Sequence, residues 1–569
     1  MTIETPKEQA EHAASVLAPE TDLVADLDVA RLGRALAMVF RGALDHPAEA
    51  TQAWLRYATC LWQIPPVAVS SWLGSSIAPP VQLNPKDRRF ADRTWSANPA
   101  FYSLRMVHQA FADFMDQLVI AAGLEHLQEE KARLLTGLMV DALAPTNFLP
   151  TNPAALKYAV ETAGTSLARG TRNFMDDLLT NNGRPRQVDT SKFTIGENLA
   201  ATPCKVVYRN DIMELLQYSA QTPQVHAAPL LCSPPWINKY YVMDLAPGRS
   251  FIEWAVKHER TVFAISYRNP SPDMSGVTMD DYLIHGPRQA LEVIQNITNA
   301  DRVDIVGLCM GGALTAITDA YLSATGKEGI GNLTLLNTLL DYSEPGVLGA
   351  FTDTDAVWRL EKKMAREGHL AGETMAGTFD ILRANDLIFS YVVSNWLMGQ
   401  DPPAFDILAW NSDSTRMPYA MHSFYLRNFY VENRLARDQL EIAGRVVRLS
   451  DVKHPAYIVG AENDHIVPWK SAYASTGLLA GPVRFVLSSG GHIAGIVNPP
   501  GPKGWYLMGN DHPDSAEEWR TQATRHDGSW WQDWATWSAE NSGPLVEPPP
   551  TGSNRYPVLY DGPGDYIHT

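Results

Sequence analysis

Cys309 stands in Gly307-Leu-Cys-Met-Gly311, between the apolar run Val303-Asp-Ile-Val306 and a further apolar stretch beginning at Gly312-Ala313. A strand, a G-x-nucleophile-x-G turn and a helix form the nucleophile-elbow pattern, here with sulfur in place of the serine oxygen. Glycines two residues either side of the nucleophile let strand and helix pass close together, while the nucleophile takes a strained backbone conformation that exposes its side chain. The positive end of the following helix faces such a sulfur.

An elbow nucleophile needs an acid and then a histidine later in the chain. Asp464 lies just past the apolar run Ala456-Tyr-Ile-Val459, and His492 lies in a Gly-rich loop after Val483-Arg-Phe-Val-Leu487. Both follow strands and so reach the crevice that holds Cys309. Asp341, after Leu333-Thr-Leu-Leu336, is a rival acid, and His465 reads as a residue of the mouth or the scaffold. The developing oxyanion requires two donors. Met310 N–H follows the nucleophile, and the second donor must come from Pro234-Pro-Trp-Ile-Asn-Lys239, where two prolines leave Trp236, Ile237 or Asn238, with Ile237 favoured. A thiolate attacking a thioester makes another thioester, so sulfur preserves the activation of an acyl group for a later acceptor. The elbow therefore favours acyl transfer over hydrolysis.

The elements that must position these residues begin near residue 190. From there, Val-, Ile- and Leu-rich runs at 228–233, 261–266, 303–307, 333–336, 456–459 and 483–487 alternate with helix-like stretches such as 280–298 and 311–324. Strands interleaved with helices imply parallel strands joined by crossovers, an α/β fold. The interval 343–450 is too long for one crossover and reads as an inserted cap. Upstream, apolar residues recur at helical spacing, with Leu32, Leu36, Val39 and Phe40 on one face and Leu104, Val107, Phe111, Phe114 and Leu118 as a buried stripe. The prolines of 143–153 interrupt the helices. The expected order is a disordered lead (1–20), a helical N-terminal domain (21–190), a catalytic core (191–342 and 451–545) split by the cap (343–450), and an extended C-terminal tail (546–569).

Composition narrows the function. A net charge of −17 argues against general nucleic-acid binding, which rests on clustered Lys and Arg. Cys60, Cys204, Cys232 and Cys309 have no CxxC spacing, which excludes a disulfide framework and a zinc ribbon. The start, Met-Thr-Ile-Glu-Thr-Pro, lacks a secretory pattern, and no run of about 18 apolar residues suggests a membrane span. A cytoplasmic protein with one reactive thiol is expected.

Gly-Leu-Cys-Met-Gly-Gly (307–312), Pro-Pro-Trp-Ile-Asn-Lys-Tyr-Tyr (234–241), Tyr-Arg-Asn-Pro (267–270), Asp-His-Ile-Val-Pro-Trp (464–469) and Gly-His-Ile-Ala-Gly-Ile-Val-Asn-Pro-Pro (491–500) together resemble polyhydroxyalkanoate synthases. Trp410-Asn411 and Gly528-Ser-Trp-Trp-Gln-Asp-Trp534 extend the likeness, which runs from about residue 95 to 540 and looks like the class I, single-chain enzymes. Tyr267, where the family often has Trp, and the acidic, Pro-rich tail depart from the pattern.

The resemblance implies an α/β-hydrolase fold and polymerisation of (R)-3-hydroxyacyl-CoA, such as 3-hydroxybutyryl-CoA, into a polyester with release of CoA. It implies that Cys309 carries the acyl chain, His492 activates the thiol, Asp464 orients His492 or assists at the 3-hydroxyl, and Asn238 contacts the thioester. It further implies a homodimer on cytoplasmic polyester granules, contacts with granule-associated proteins through the helical region, and no cofactor or metal. The alternatives are a cysteine hydrolase of the dienelactone hydrolase type and a non-catalytic granule scaffold.

Overall fold

The computed structural model describes residues 29–569 except Ser76, Lys86, residues 373–382 and Asn510; the expected lead at 1–20 lies outside the described residues. The described chain forms two compact units, one within Val24–Asp189 and Gly377–Phe405, the other within Thr190–Ala376 and Asp406–Thr569.

The first unit is helical: α1 Val29–Asp45, α2 Pro47–Trp72, α3 Pro99–Ala121, α4 His126–Ala142, α5 Pro153–Glu161 and α6 Thr165–Thr180. Prolines that cannot continue a helix begin several of these. Pro99 follows the cap Asn98, whose Oδ1 accepts from Ala100 N–H at 2.9 Å, and Pro153 follows Asn152, which accepts from Ala155 N–H at 3.0 Å. The stripe expected on α3 is displaced: Leu118 is buried but Val107 is exposed, and Met106, Ala110 and Met115 carry the buried face. In the same way, Val39 of α1 is buried while Phe40 is exposed. Because α3 packs against α1, α2 and α4, it buries more than one face and blurs a single-stripe reading.

The stretch 343–450, expected as one cap, divides in the structure, for 377–405 belongs to this helical unit. Specific polar contacts account for the division. Trp396 Nε1 donates to the buried Asp177 carboxylate at 2.8 Å, Gln187 Nε2 donates to Leu387 O at 2.8 Å, and the Trp396 ring meets Phe174 edge-on at 4.9 Å. Gly170 lies against the Trp396 carbonyl, where a Cβ would collide. A cleft of about 930 Å³ within this unit has Arg89 paired with Asp87 and Asp141, Lys157 with Asp92, and Arg383 with Asp386.

The second unit is built on an 11-stranded sheet. Its strands are β1 Cys204–Arg209, β2 Met213–Tyr218, β3 Leu230–Ser233, β4 Val262–Tyr267, β5 Val303–Leu308, β6 Ile330–Leu336, β7 Ala456–Ala461, β8 Val483–Ser488, β9 Trp505–Met508, β10 Thr524–Asp527 and β11 Tyr560–Asp561. The order is β10-β9-β8-β7-β6-β5-β3-β4-β2-β1-β11, with β4-β3-β5-β6-β7-β8 parallel and antiparallel strands on either side. Strands β3, β4, β5 and β7 are buried along their whole length, as continuous apolar runs covered on both faces require. The helix expected over 280–298 is two helices, Met279–His285 and α7 Pro287–Thr298, because Gly286-Pro287 interrupts the hydrogen-bond ladder.

The tail at 546–569, expected to lie extended on the surface, is mostly exposed and is also fastened to the fold near its end. β11 pairs with β1 at the sheet edge, and the buried Glu214 carboxylate accepts from Tyr560 Oη, Asp565 N–H and Tyr566 N–H. An edge strand and a buried carboxylate both need partners, and the tail supplies them.

Candidate active site

Cys309 sits between β5 and α8 (Met310–Ala324) with φ 53° and ψ −117°, a conformation that L-residues hold only under local constraint. Its N–H donates to Leu336 O of the neighbouring strand at 2.8 Å, while its carbonyl accepts from Gly312 and Ala313 N–H in the first helical turn. A side chain at Gly311 would collide with the Ser233 and Pro234 carbonyl oxygens, so the glycine is what allows the loop after β3 to rest on the elbow. The residue is half-buried.

The ends of β5, β6, β7 and β8 lie side by side, and each brings one residue. Asp464, after β7, accepts from Ile466 and Val467 N–H on Oδ1 at 2.9 Å each, which aims Oδ2 at His492 Nδ1, 2.6 Å away. The His492 side chain is fully buried. Its Nε2 has no partner at full hydrogen-bond geometry, and the Cys309 sulfur is the group it interacts with. Burial works to lower the His492 pKa, but the Asp464 carboxylate and a negative Cys309 sulfur outweigh it and push it up to about 10.

The loop carrying His492 is braced from two sides that sequence reasoning missed. Asn337, after β6, donates from Nδ2 to the His492 carbonyl. Trp530 and Trp531, which open the helix α9 Trp530–Asn541, donate their indole N–H groups to Gly495 O at 2.8 Å and Ile496 O at 2.9 Å. Tyr342 and Tyr425, whose hydroxyl oxygens are 3.4 Å apart, stand within electrostatic reach of Cys309 and were also unforeseen. The aromatic density of 419–430 was the one available signal for them.

The other expected residues fall as follows. Asp341 is turned away from His492 and accepts from Ser343 N–H at 2.8 Å and Asn433 Nδ2 at 2.7 Å. His465 is half-buried outside the His492–Asp464 pair. Met310 opens α8, where N–H groups lack intrahelical partners. Ile237 and Asn238 are buried beside the elbow loop, with Asn238 at φ 58° and its N–H donated to Thr415 Oγ1 at 2.7 Å. That contact removes Asn238 N–H from the possible oxyanion donors. Burial raises the thiol pKa of Cys204 and Cys232, and desolvation raises that of Cys60, so these three are poor nucleophiles. No cluster of metal-ligating side chains, and no helix long and apolar enough to cross a membrane, occurs among the described residues.

This geometry can form a covalent acyl–sulfur bond and move one proton through His492. Comparison with known proteins is consistent with such chemistry. Residues 86–255 match the family described as poly-beta-hydroxybutyrate polymerase (PhaC) N-terminus, and residues 233–499 match the alpha/beta hydrolase fold. The chain is 39% identical over 566 residues to the poly(3-hydroxyalkanoate) polymerase subunit PhaC of Rhizobium meliloti (strain 1021), covering 99% of this chain and 91% of the relative. It is 38% identical to the poly(3-hydroxyalkanoate) polymerase of Methylorubrum extorquens, over 97% of this chain and 92% of the relative. It is 40% identical to the Cupriavidus necator subunit PhaC, over 84% of this chain and 83% of the relative. With relatives this similar over nearly its whole length, and a cysteine elbow on an α/β-hydrolase core, the chain belongs to the poly(3-hydroxyalkanoate) polymerase family.

Proposed function

We propose that the protein polymerises short-chain (R)-3-hydroxyacyl-CoA, with 3-hydroxybutyryl-CoA as the type substrate, into polyester and releases CoA. The observation that carries this reading is a cysteine, rather than a serine, on the strained elbow within reach of a buried His492–Asp464 pair. Cys309 sulfur, its proton taken by His492 Nε2, attacks the thioester carbonyl. The carbonyl electrons shift onto oxygen, which faces Met310 N–H and Ile237 N–H. When the carbonyl re-forms, the C–S bond to CoA breaks and His492 returns the proton to the departing CoA sulfur. The acyl group then rests on Cys309 at nearly unchanged free energy, because one thioester has replaced another. For chain growth, the 3-hydroxyl of one acyl unit loses its proton to the His492–Asp464 pair and attacks a second acyl thioester, forming an ester and freeing a thiol. Asn238, whose Nδ2 is buried without a partner, is suited to contact the thioester region.

The same reading includes a homodimer on cytoplasmic granules, with the helical unit meeting the polymer surface and granule-associated proteins. In its support, α2 exposes Trp54, Trp62 and Trp72, at 57%, 86% and 62% of their surface.

The test is purified protein with (R)-3-hydroxybutyryl-CoA, following free thiol and turbidity. Thiol together with insoluble polymer is expected. Thiol with free 3-hydroxybutyrate would make the protein a hydrolase, and neither product would make it a scaffold. Cys309→Ala and His492→Gln should each lower thiol release by at least about 10³-fold, the scale of removing a member of such a triad; normal release in either would overturn the assignment.

A further inference from the structure

The second oxyanion donor depends on how one peptide plane is held, and the holder is a residue outside the catalytic trio. Thr415 lies in Trp410-Asn-Ser-Asp-Ser-Thr-Arg416 and is 4% exposed. Its hydroxyl accepts from Asn238 N–H at 2.7 Å and donates to Trp236 O at 3.2 Å. A threonine hydroxyl has one proton to give and lone pairs to receive, and both capacities are used on the same loop.

Trp236 C=O and Ile237 N–H are the two ends of one peptide group, and in a planar trans peptide they point in opposite directions. Holding that carbonyl on Thr415 turns the Ile237 N–H to the far side of the loop. Asn238 N–H belongs to the next peptide plane, so one hydroxyl pins both planes that flank Ile237. Pro234 and Pro235 have no N–H to offer and Asn238 N–H is spent on Thr415, which leaves Trp236 and Ile237, and of these only Ile237 N–H is oriented through the carbonyl that Thr415 holds.

Thr415 is itself held in place. Arg416 N–H donates to Asn269 Oδ1 at 2.9 Å, Trp410 Nε1 to Lys239 O at 2.8 Å, and Tyr241 Oη to Asp413 Oδ2 at 3.0 Å. Segment 410–416 is thus bound along the loop 236–241 at several points, while the other face of that loop's start rests on the elbow at Gly311.

We infer that Thr415 is a positioning residue that aims the Ile237 N–H at the developing oxyanion. This rests on Cys309 as the nucleophile, not on the identity of the acyl donor. The test therefore uses p-nitrophenyl acetate, which acylates a cysteine nucleophile through an oxyanion and reports as a nitrophenolate burst, beside iodoacetamide, which alkylates the same sulfur without one.

Thr415→Val keeps the shape and removes both hydrogen bonds; Thr415→Ser keeps both. The full-length Thr415→Val protein should lose about tenfold to a hundredfold in burst rate while its iodoacetamide rate stays within about twofold of wild type, and Thr415→Ser should recover to within about threefold. A normal burst in Thr415→Val would overturn the inference. So would equal loss in Thr415→Ser, which would make the methyl group the relevant part, or parallel loss of alkylation, which would mean the site had collapsed; a misfolded valine variant leaves the serine comparison to decide. No Cys309-dependent burst in wild type would instead overturn the nucleophile assignment, and with it the need for this donor.

Discussion

His492 concentrates most of the electrostatics of the site in one side chain. Its ring is fully buried, yet its pKa is raised to about 10, because the Asp464 carboxylate and the Cys309 sulfur together outweigh the cost of burying a cation. The pH dependence follows from the sign of that shift. The folded value lies above the unfolded value of about 6.5, so the stabilisation is fully present below about pH 6.5 and is lost as pH rises toward the folded value. Asp464→Asn removes the larger of the two influences that raise it. We expect it to destabilise the protein by about 3–5 kcal/mol near neutral pH. The difference should shrink as pH is raised toward 10, measured by denaturant titration across the range. A penalty that stayed constant with pH would mean that Asp464 stabilises its own backbone turn and not the imidazolium.

At the scale of elements, the site is a row of strand ends. Cys309, Asn337, Asp464 and His492 follow four adjacent parallel strands, so a few loop residues suffice to bring them together. The far edge of the same sheet depends on the tail. Glu214 is completely buried and accepts three hydrogen bonds from Tyr560, Asp565 and Tyr566. Glu214→Ala strands those donors, and an unpaired buried donor costs about 1–3 kcal/mol. Loss of about 2–4 kcal/mol by denaturant titration, with faster proteolytic clipping after residue 546, is the expected outcome. Unchanged clipping would show that β11 holds the tail without the carboxylate.

For the whole molecule, a net charge of −17 coexists with a helical unit whose α2 exposes three tryptophans. The proposed contact with an apolar polymer would use that aromatic surface. Trp62→Ser with Trp72→Ser should reduce co-sedimentation with washed polyhydroxybutyrate particles by about fivefold to tenfold, roughly what loss of two partly exposed indole contacts costs. CoA release from soluble substrate should stay within about twofold. Equal co-sedimentation of variant and wild type would move the contact elsewhere on the molecule.

The elbow, the acid and the histidine were legible because each depends on local rules: a nucleophile flanked by glycines, and loops that follow apolar runs. Chain order then narrowed the acid to Asp464 or Asp341, and only the fold separated them, by turning Asp341 to Asn433 and Asp464 to His492. Residues that work by holding others carried no such mark. Thr415 is far in sequence from the loop it pins, and Asn337, Trp530 and Trp531 act on carbonyls that any residue could present. The division of 343–450 and the fastening of the tail were invisible for a related reason: a proline-rich or aromatic stretch does not reveal which distant surface it will cover. The sequence by itself determined the elbow pattern, the candidate site residues and the parallel core, because these follow from residue type and local spacing. Tertiary structure decided the braces, the division of the inserted segment and the place of the tail, because these depend on long-range partners for buried polar groups.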